Sequence, residues 1–239
     1  MSVIAERVDQ LLHPIRTVRI LAGRGRARSL QRKQRLPSVA LDDVAGATSA
    51  PADVIEEDRG LSIPDLDALV RVAHVLDPKT VLELGTSLGN SAANVCRAAP
   101  QAEVVTVNAL PEQLSGEIIT WALERDDIGR VFRSHGYGDR VRQVYSDTLQ
   151  LDLAPHLAEG SVDLAVIDAC HDTEYVLSDF LKVQPYVAPD GVVLMHDTHP
   201  SLARHLWASY MACMQLRERG RDVRHLEGTW WAAWRPCWD

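Results

Sequence analysis

Residues 81–91 read Val-Leu-Glu-Leu-Gly-Thr-Ser-Leu-Gly-Asn-Ser, and the order of residue types in that stretch decides the fold. An apolar, β-branched run ends in an acid, Glu83. Two glycines with three residues between them follow, Gly85 and Gly89, and a polar residue then opens a helical stretch. Gly85 lets the backbone turn sharply as it leaves a strand, and Gly89 lets the next helix approach the sheet or a ligand without a Cβ in the way. The amino terminus of that helix offers free N–H groups and a partial positive charge to whatever sits in the crevice. The stretch is therefore expected to end the first strand of an α/β sheet and to cradle a cofactor there. An ordinary tight strand-to-helix turn uses the same residues, so the surrounding chain has to decide between the two.

Downstream of residue 81 the pattern repeats. Apolar runs of strand length at Thr80–Leu84, Glu103–Val107, Val141–Tyr145, Val162–Ile167 and Val192–Met195 alternate with helical stretches at Ser91–Ala98, Pro111–Glu124, Glu174–Tyr186 and Ser201–Arg219. Short apolar strands alternating with helices mean a parallel sheet covered on both faces. Val223–Leu226 and Thr229–Trp234 flank Glu227-Gly228 and are expected to pair as an antiparallel hairpin at the sheet edge. The fold class is thus α/β, a doubly wound, mostly parallel seven-stranded sheet with an antiparallel C-terminal hairpin. Upstream, Ser62 is placed to cap a helix with Pro64, Asp65 and Asp67 in its first turn, which Asp77-Pro78 ends. Residues 3–22 carry apolar positions at near-helical spacing with a kink at Pro14, while residues 23–60 have no sustained period and read as a connector or lid. The expected division is an N-terminal helical arm and connector over residues 1–60 and a catalytic domain over residues 61–239.

The 239-residue length suits one sizeable domain with an appendage, and 46% hydrophobic and 24% charged residues are ordinary for a soluble globular protein. No apolar run approaches the ~20 residues that span a bilayer, and Glu6 and Asp9 interrupt any secretory signal. Cys96, Cys170, Cys213 and Cys237 form no Cys-x-x-Cys pair, so a cytoplasmic, reducing compartment is expected. Charge is uneven: residues 1–37 hold nine basic against two acidic residues, a balance of +7, leaving −15 to the remainder. Such an arm can bind nucleic acid or pack on an acidic body, and without aromatics to stack bases the packing reading is preferred.

In doubly wound sheets ligands sit outside the carboxyl ends of the strands. The first strand end presents Glu83, Gly85, Thr86 and Ser87; the second presents Asn108; the third Ser146 and Asp147; the fourth Asp168, followed by His171; the fifth His196, Asp197, Thr198 and His199. Asp168 and Asp197 would meet on one rim with several imidazoles. A carboxylate pair of this kind holds Mg²⁺, and an imidazole beside it is matched to proton removal near neutral pH. Asp just after a strand also caps the next helix, which is the competing structural role.

Glu-Leu-Gly-x-x-x-Gly-x-Ser at 83–91, Val-Ile-Asp-x-x-His at 166–171 and the strand ending in His-Asp at 196–197 resemble class I S-adenosylmethionine-dependent O-methyltransferases. The likeness is to catechol O-methyltransferase and to the metal-dependent enzymes that methylate sugar hydroxyls of natural products, and it covers roughly residues 56–200. It implies that Glu83, Gly85, Thr86, Ser87, Gly89 and Ser91 surround the methionine and ribose of the cofactor. By the same likeness Asn108 takes the position of a ribose-binding acid and Asp147 lies near the adenine. Asp168, Asp197 and Thr198 fall on metal-ligand positions, and His171 on that of the catalytic base. The implied partner is a small-molecule hydroxyl acceptor, a sugar, polyol or catechol-like group. Separately, the arm outside the expected core suggests a homo-oligomer, a dimer that shares its N-terminal segment. Trp121, Trp207, Trp230, Trp231 and Trp234 offer an apolar wall for such an acceptor or pack a core. A nucleic-acid methyltransferase, a metal-dependent hydrolase and a non-catalytic relative are the alternatives; no Asp/Asn-Pro-Pro-aromatic tetrapeptide supports the first.

Overall fold

The computed structural model describes residues 14–33, 35–46, 53–57, 60–114, 123–201 and 207–239. In chain order its elements are α1 (Pro14–Lys33), β1 (Ser38–Val39), α2 (Leu41–Ala45), α3 (Ile63–Leu76), β2 (Thr80–Leu84), α4 (Asn90–Ala98), β3 (Glu103–Asn108), α5 (Arg130–Ser134) and β4 (Val141–Tyr145). There follow β5 (Val162–Ile167), α6 (Thr173–Val183), β6 (Val187–Met195), α7 (Trp207–Glu218), β7 (Arg224–Leu226) and β8 (Ala232–Trp234).

Alternation along each strand sends side chains to opposite faces of one sheet. Val81, Val104, Leu164, Val166, Val192 and Leu194 point into a core shared with α3 and α4. Leu82, Leu84, Val105, Val107, Ala165, Ile167, Val193 and Met195 point into a second core closed by α6 and α7. The strand order is β1-β7-β8-β6-β5-β2-β3-β4, with β8 antiparallel to both β6 and β7 and every other pair parallel. The sheet therefore has eight strands rather than seven. The added one, β1, pairs its Ser38 and Val39 with His225 and Leu226, and a two-residue strand is too short to leave an alternation in the sequence.

The stretch 23–60 is also more regular than its composition suggests. Helix α1 continues through Gly23 and Gly25 to Lys33 and packs on α7, with Ala27 fully buried in that seam. A Cβ at position 23 would stand 2.1 Å from the Trp207 ring, so the glycine that weakens the helical pattern is what allows the close approach. Farther on, Ile55 enters the first core and is strapped to α4: its N–H donates to Asn94 Oδ1, and its carbonyl accepts from the Asn90 and Asn94 side-chain amides. Residues 3–13 of the expected first helix lie outside the described residues. Of the helix expected at 111–124, the structure has a 3₁₀ turn at Pro111–Gln113, and residues 115–122 lie outside; of that expected at 201–219 it has α7, and residues 202–206 lie outside. No helix among the described residues is long and apolar enough to cross a membrane.

Candidate active site

Strand order reverses between β2 and β5, the chain winding outward through β3 and β4 on one side and through β6 on the other. A crevice opens at the carboxyl ends of the strands at such a switch point. The backbone there is tightly tied: Gly85 and Thr86 N–H donate to the Val107 carbonyl, Asp168 N–H to Leu84 and His196 N–H to Ile167. At Gly85 φ is +106°, and a Cβ would lie 2.2 Å from the Asp168 carbonyl oxygen. Only glycine lets the β2 turn pass so close to the β5 loop. Gly89, at φ +85°, makes room for Gly129 and Phe132. The close approach expected of it is thus to the α5 turn, not to the sheet.

The residues around this turn divide by direction. Ser87 is exposed, and its N–H donates to Asn108 Oδ1 at 2.9 Å, so Asn108 steadies the glycine loop from the end of β3. Glu83 and Thr86 are buried. Ser91 Oγ and Thr106 Oγ1 donate to the two oxygens of Glu83, while Thr106 in turn meets Thr86 Oγ1 at 2.7 Å. Burial, aided by the Asp168 charge, lifts the Glu83 carboxyl to about 7 against the pull of these hydroxyls. Glu83 accordingly acts within a polar network under the glycine loop. Asp147, near the end of β4, is also buried: Oδ1 accepts from Leu149 N–H at 2.9 Å and Oδ2 from the Tyr175 hydroxyl at 3.4 Å.

On the other side of the crevice the ends of β5 and β6 bring Asp168, His171 and Asp197 together, with one ligand atom of each within 4.8 Å of the others. His171 Nδ1 stands 2.9 Å from Asp197 Oδ2 and Nε2 stands 3.5 Å from Asp168 Oδ1. His196 Nδ1 lies 3.3 Å from Asp168 Oδ1 and 3.4 Å from Asp197 Oδ1, and its Nε2 faces Asp65 Oδ2 at 3.3 Å. Its ring packs on Trp231 with centroids 4.4 Å apart. Asp197 sits at φ +58°, a conformation that costs a non-glycine residue energy and clusters at functional sites. Burial pulls the His171 imidazole down, but hydrogen bonds and charge from Asp168 and Asp197 outweigh it and lift the group to about 10. Burial likewise opposes ionisation of Asp168, yet the His196 charge and the His171 contact hold its carboxyl well below the usual range.

Thr198 does not join this cluster. It is fully buried, and its hydroxyl donates to the Trp230 carbonyl at 3.2 Å, as its N–H does at 3.0 Å, so the oxygen expected as a third metal ligand ties β6 to the β7–β8 turn instead. The third donor beside the two carboxylates is His171. Asp65, in the first turn of α3, was no candidate in the sequence: it accepts the Trp230 N–H at 2.7 Å and the Ser62 hydroxyl at 2.5 Å while facing His196. Ser62 therefore serves Asp65, and its side chain does not cap the helix backbone as expected. Among the tryptophans, Trp231 and Trp234 are buried in the core, Trp230 reaches the surface beside His199, and Trp121 lies outside the described residues.

The fold is shared with known proteins. An S-adenosylhomocysteine-bound methyltransferase of Podospora anserina superposes with a TM-score of 0.55 at 21% identity, over 71% of this chain and 76% of that one. The O-methyltransferase TomG of Streptomyces achromogenes, involved in tomaymycin synthesis and solved with S-adenosylmethionine, gives 0.53 at 19% identity, over 81% and 86%. At these identities the likeness is one of fold. Residues 82–198, just under half of the chain, match the family described as methyltransferase domain. In sequence it is 33% identical over 131 residues to the probable O-methyltransferase Rv1703c of Mycobacterium tuberculosis, covering 54% of this chain and 52% of that protein. The chain thus spans about half the length of this curated relative.

Proposed function

We propose that the protein moves a methyl group from S-adenosylmethionine to a hydroxyl of a small molecule, a sugar, polyol or catechol-like group, with a divalent cation, Mg²⁺, bound beside the reacting oxygen. The observation that carries this reading is the convergence of Asp168, His171 and Asp197 across the crevice from the glycine turn. The donor fits the glycine turn because Gly85 closes the β2 turn against the β5 loop and the α4 amino terminus that follows has N–H groups beyond the reach of intrahelical bonds. The cation fits the donor set because hard carboxylate oxygens suit Mg²⁺ and few protein ligands suffice for it.

Bound there, the cation supplies positive charge that lowers the pKa of a hydroxyl brought against it. Asp168 and Asp197 would hold it, with Asp65 and the Trp231 ring keeping His196 in place behind them. His171, half-buried like Asp168, is kept protonated by the two carboxylates that face it; a cation on those carboxylates would loosen that hold, and its imidazole would then take the acceptor proton. The glycine turn would hold the donor, whose sulfonium would supply the methyl group: the acceptor oxygen would bond to the methyl carbon as the S–CH₃ bond breaks and its electron pair returns to sulfur. Cytoplasmic residence suits four free cysteines, three of them buried. A homo-oligomer suits the basic arm set against an acidic remainder.

The test is methyl transfer from labelled S-adenosylmethionine to a panel of catechols and vicinal-diol glycosides. EDTA is expected to abolish turnover and Mg²⁺ to restore it, and His171→Ala to lose roughly 10²–10⁴-fold. Full activity of Asp168→Asn or Asp197→Asn in EDTA removes the cation from the mechanism, and a loss of less than about tenfold in His171→Ala removes the base.

A further inference from the structure

Helix α6 carries a polar face that the proposed reaction does not use. Tyr175, Asp179 and Lys182 stand at i, i+4 and i+7, on one side of the helix, and that side meets the turn after β4. The Tyr175 hydroxyl donates to Asp147 Oδ2 at 3.4 Å. Lys182 Nζ donates to the Thr148 carbonyl and, at 2.5 Å, to the Leu149 carbonyl. Between them Asp179 is fully buried against Thr148, with neither carboxylate oxygen in a hydrogen bond. The other oxygen of Asp147, Oδ1, holds Leu149 N–H within its own turn. Both Asp147 oxygens are thus engaged by the turn and by α6, and the residue is only 5% exposed. A carboxylate committed in this way shapes its loop; it is not presented to the crevice.

We infer that Lys182, with Tyr175, is a positioning residue for the methyl donor: α6 sets the shape of the Ser146–Leu149 turn against which the adenine end rests, and Asp147 works through that turn. The inference rests on the methyl-donor reading above. Its physical basis is that peptide groups are planar, so an ammonium drawing two successive carbonyls to one side fixes the orientation of the N–H groups that follow them. Hydrogen bonds from a charged donor are also about twice as strong as neutral ones, so Lys182 contributes more than a neutral side chain of its length.

The experiment is calorimetric titration with S-adenosylhomocysteine and with adenosine, paired with hydrogen exchange of the amides at 147–151. Lys182→Met is expected to weaken both ligands about tenfold and to speed exchange in that turn, and Lys182→Arg to recover most of the affinity. Equal losses on adenosine and on S-adenosylhomocysteine, in a variant whose melting temperature matches wild type, place the effect at the adenine end; equal losses that track a fall in melting temperature overturn the inference. Should Lys182→Met fail to fold, Tyr175→Phe carries the same comparison with a smaller expected loss, about threefold. Affinity within twofold of wild type and unchanged exchange in the folded variant overturns the inference alone. Wild-type protein that binds neither ligand overturns it together with the reading on which it rests.

Discussion

Two single positions show how narrowly this site is built. At Gly85 both constraints act at once, a left-handed φ of +106° and a backbone carbonyl 2.2 Å from where a Cβ would be. Gly85→Ala is expected to cost about 2–4 kcal/mol through strain and overpacking, and to push the Asp168 loop outward. Thermal unfolding and S-adenosylhomocysteine titration check this; an alanine variant of wild-type stability and affinity would show that the turn relaxes freely. At Asp179 the effect is electrostatic. Burial, with Asp147 nearby, raises its carboxyl to about 7, while the Thr148 hydroxyl and the Lys182 ammonium oppose the shift. A carboxyl whose folded pKa exceeds the ordinary 3.8 binds its proton more tightly in the folded state. Its contribution is therefore complete below about pH 4 and is lost as pH rises through about 7. Asp179→Asn has no proton to lose, so it is expected to gain on wild type across that window by on the order of 3–4 kcal/mol and then hold constant. Melting temperatures of both proteins from pH 4 to 8 decide it, and parallel curves would mean that Asp179 is ionised at no cost.

At the scale of elements, what could be read from sequence depended on length. Strands β2, β4 and β5 fall on the residues expected, because runs of five or six residues rich in β-branched and other apolar side chains, bounded by polar breaks, have few other uses in an α/β chain. Asp168, His171 and Asp197 were legible for a related reason: each lies within four residues of a strand end, and parallel strands aim their ends at one rim. Asp65 was not, since its partner Trp230 is 165 positions away and nothing local to α3 marks the pair. The contacts that Thr198, Glu83 and Asp147 make were not legible either, because the direction of a side chain at a loop depends on which neighbours bury it. Helix α1 illustrates the opposite error. Its glycines argued for a connector, yet Gly23 is what seats the helix on Trp207. Gly23→Leu is expected to loosen that seat despite its higher helix propensity. Arg24, Arg26, Arg28 and Arg32 supply trypsin sites along the element, so cleavage within α1 should become several-fold faster. An unchanged digestion rate would mean that the Trp207 ring simply swings aside.

For the whole molecule, two cores flank one sheet, and the residues of the proposed site stand at the ends of β2, β3, β5 and β6 and on the loops that follow them. Occupancy of that site should stabilise the native chain by mass action and leave the unfolded chain untouched. A ligand at about 100 times its dissociation constant adds about 2.7 kcal/mol. For domains of this size each kcal/mol moves the midpoint by roughly 2–4 °C, so saturating S-adenosylhomocysteine should raise the melting temperature by roughly 5–11 °C. The rise should shrink in Lys182→Met by the amount its weaker binding dictates and should nearly vanish in Gly85→Ala, whose cradle is displaced. Mg²⁺ is expected to add a smaller, EDTA-reversible increment that Asp168→Asn lacks, because the carboxylates that would bind it stand on β5 and β6, outside the glycine turn. A thermal shift that survives Gly85→Ala unchanged would mean that the ligand binds elsewhere on the molecule, and the assignment of this crevice would fall with it.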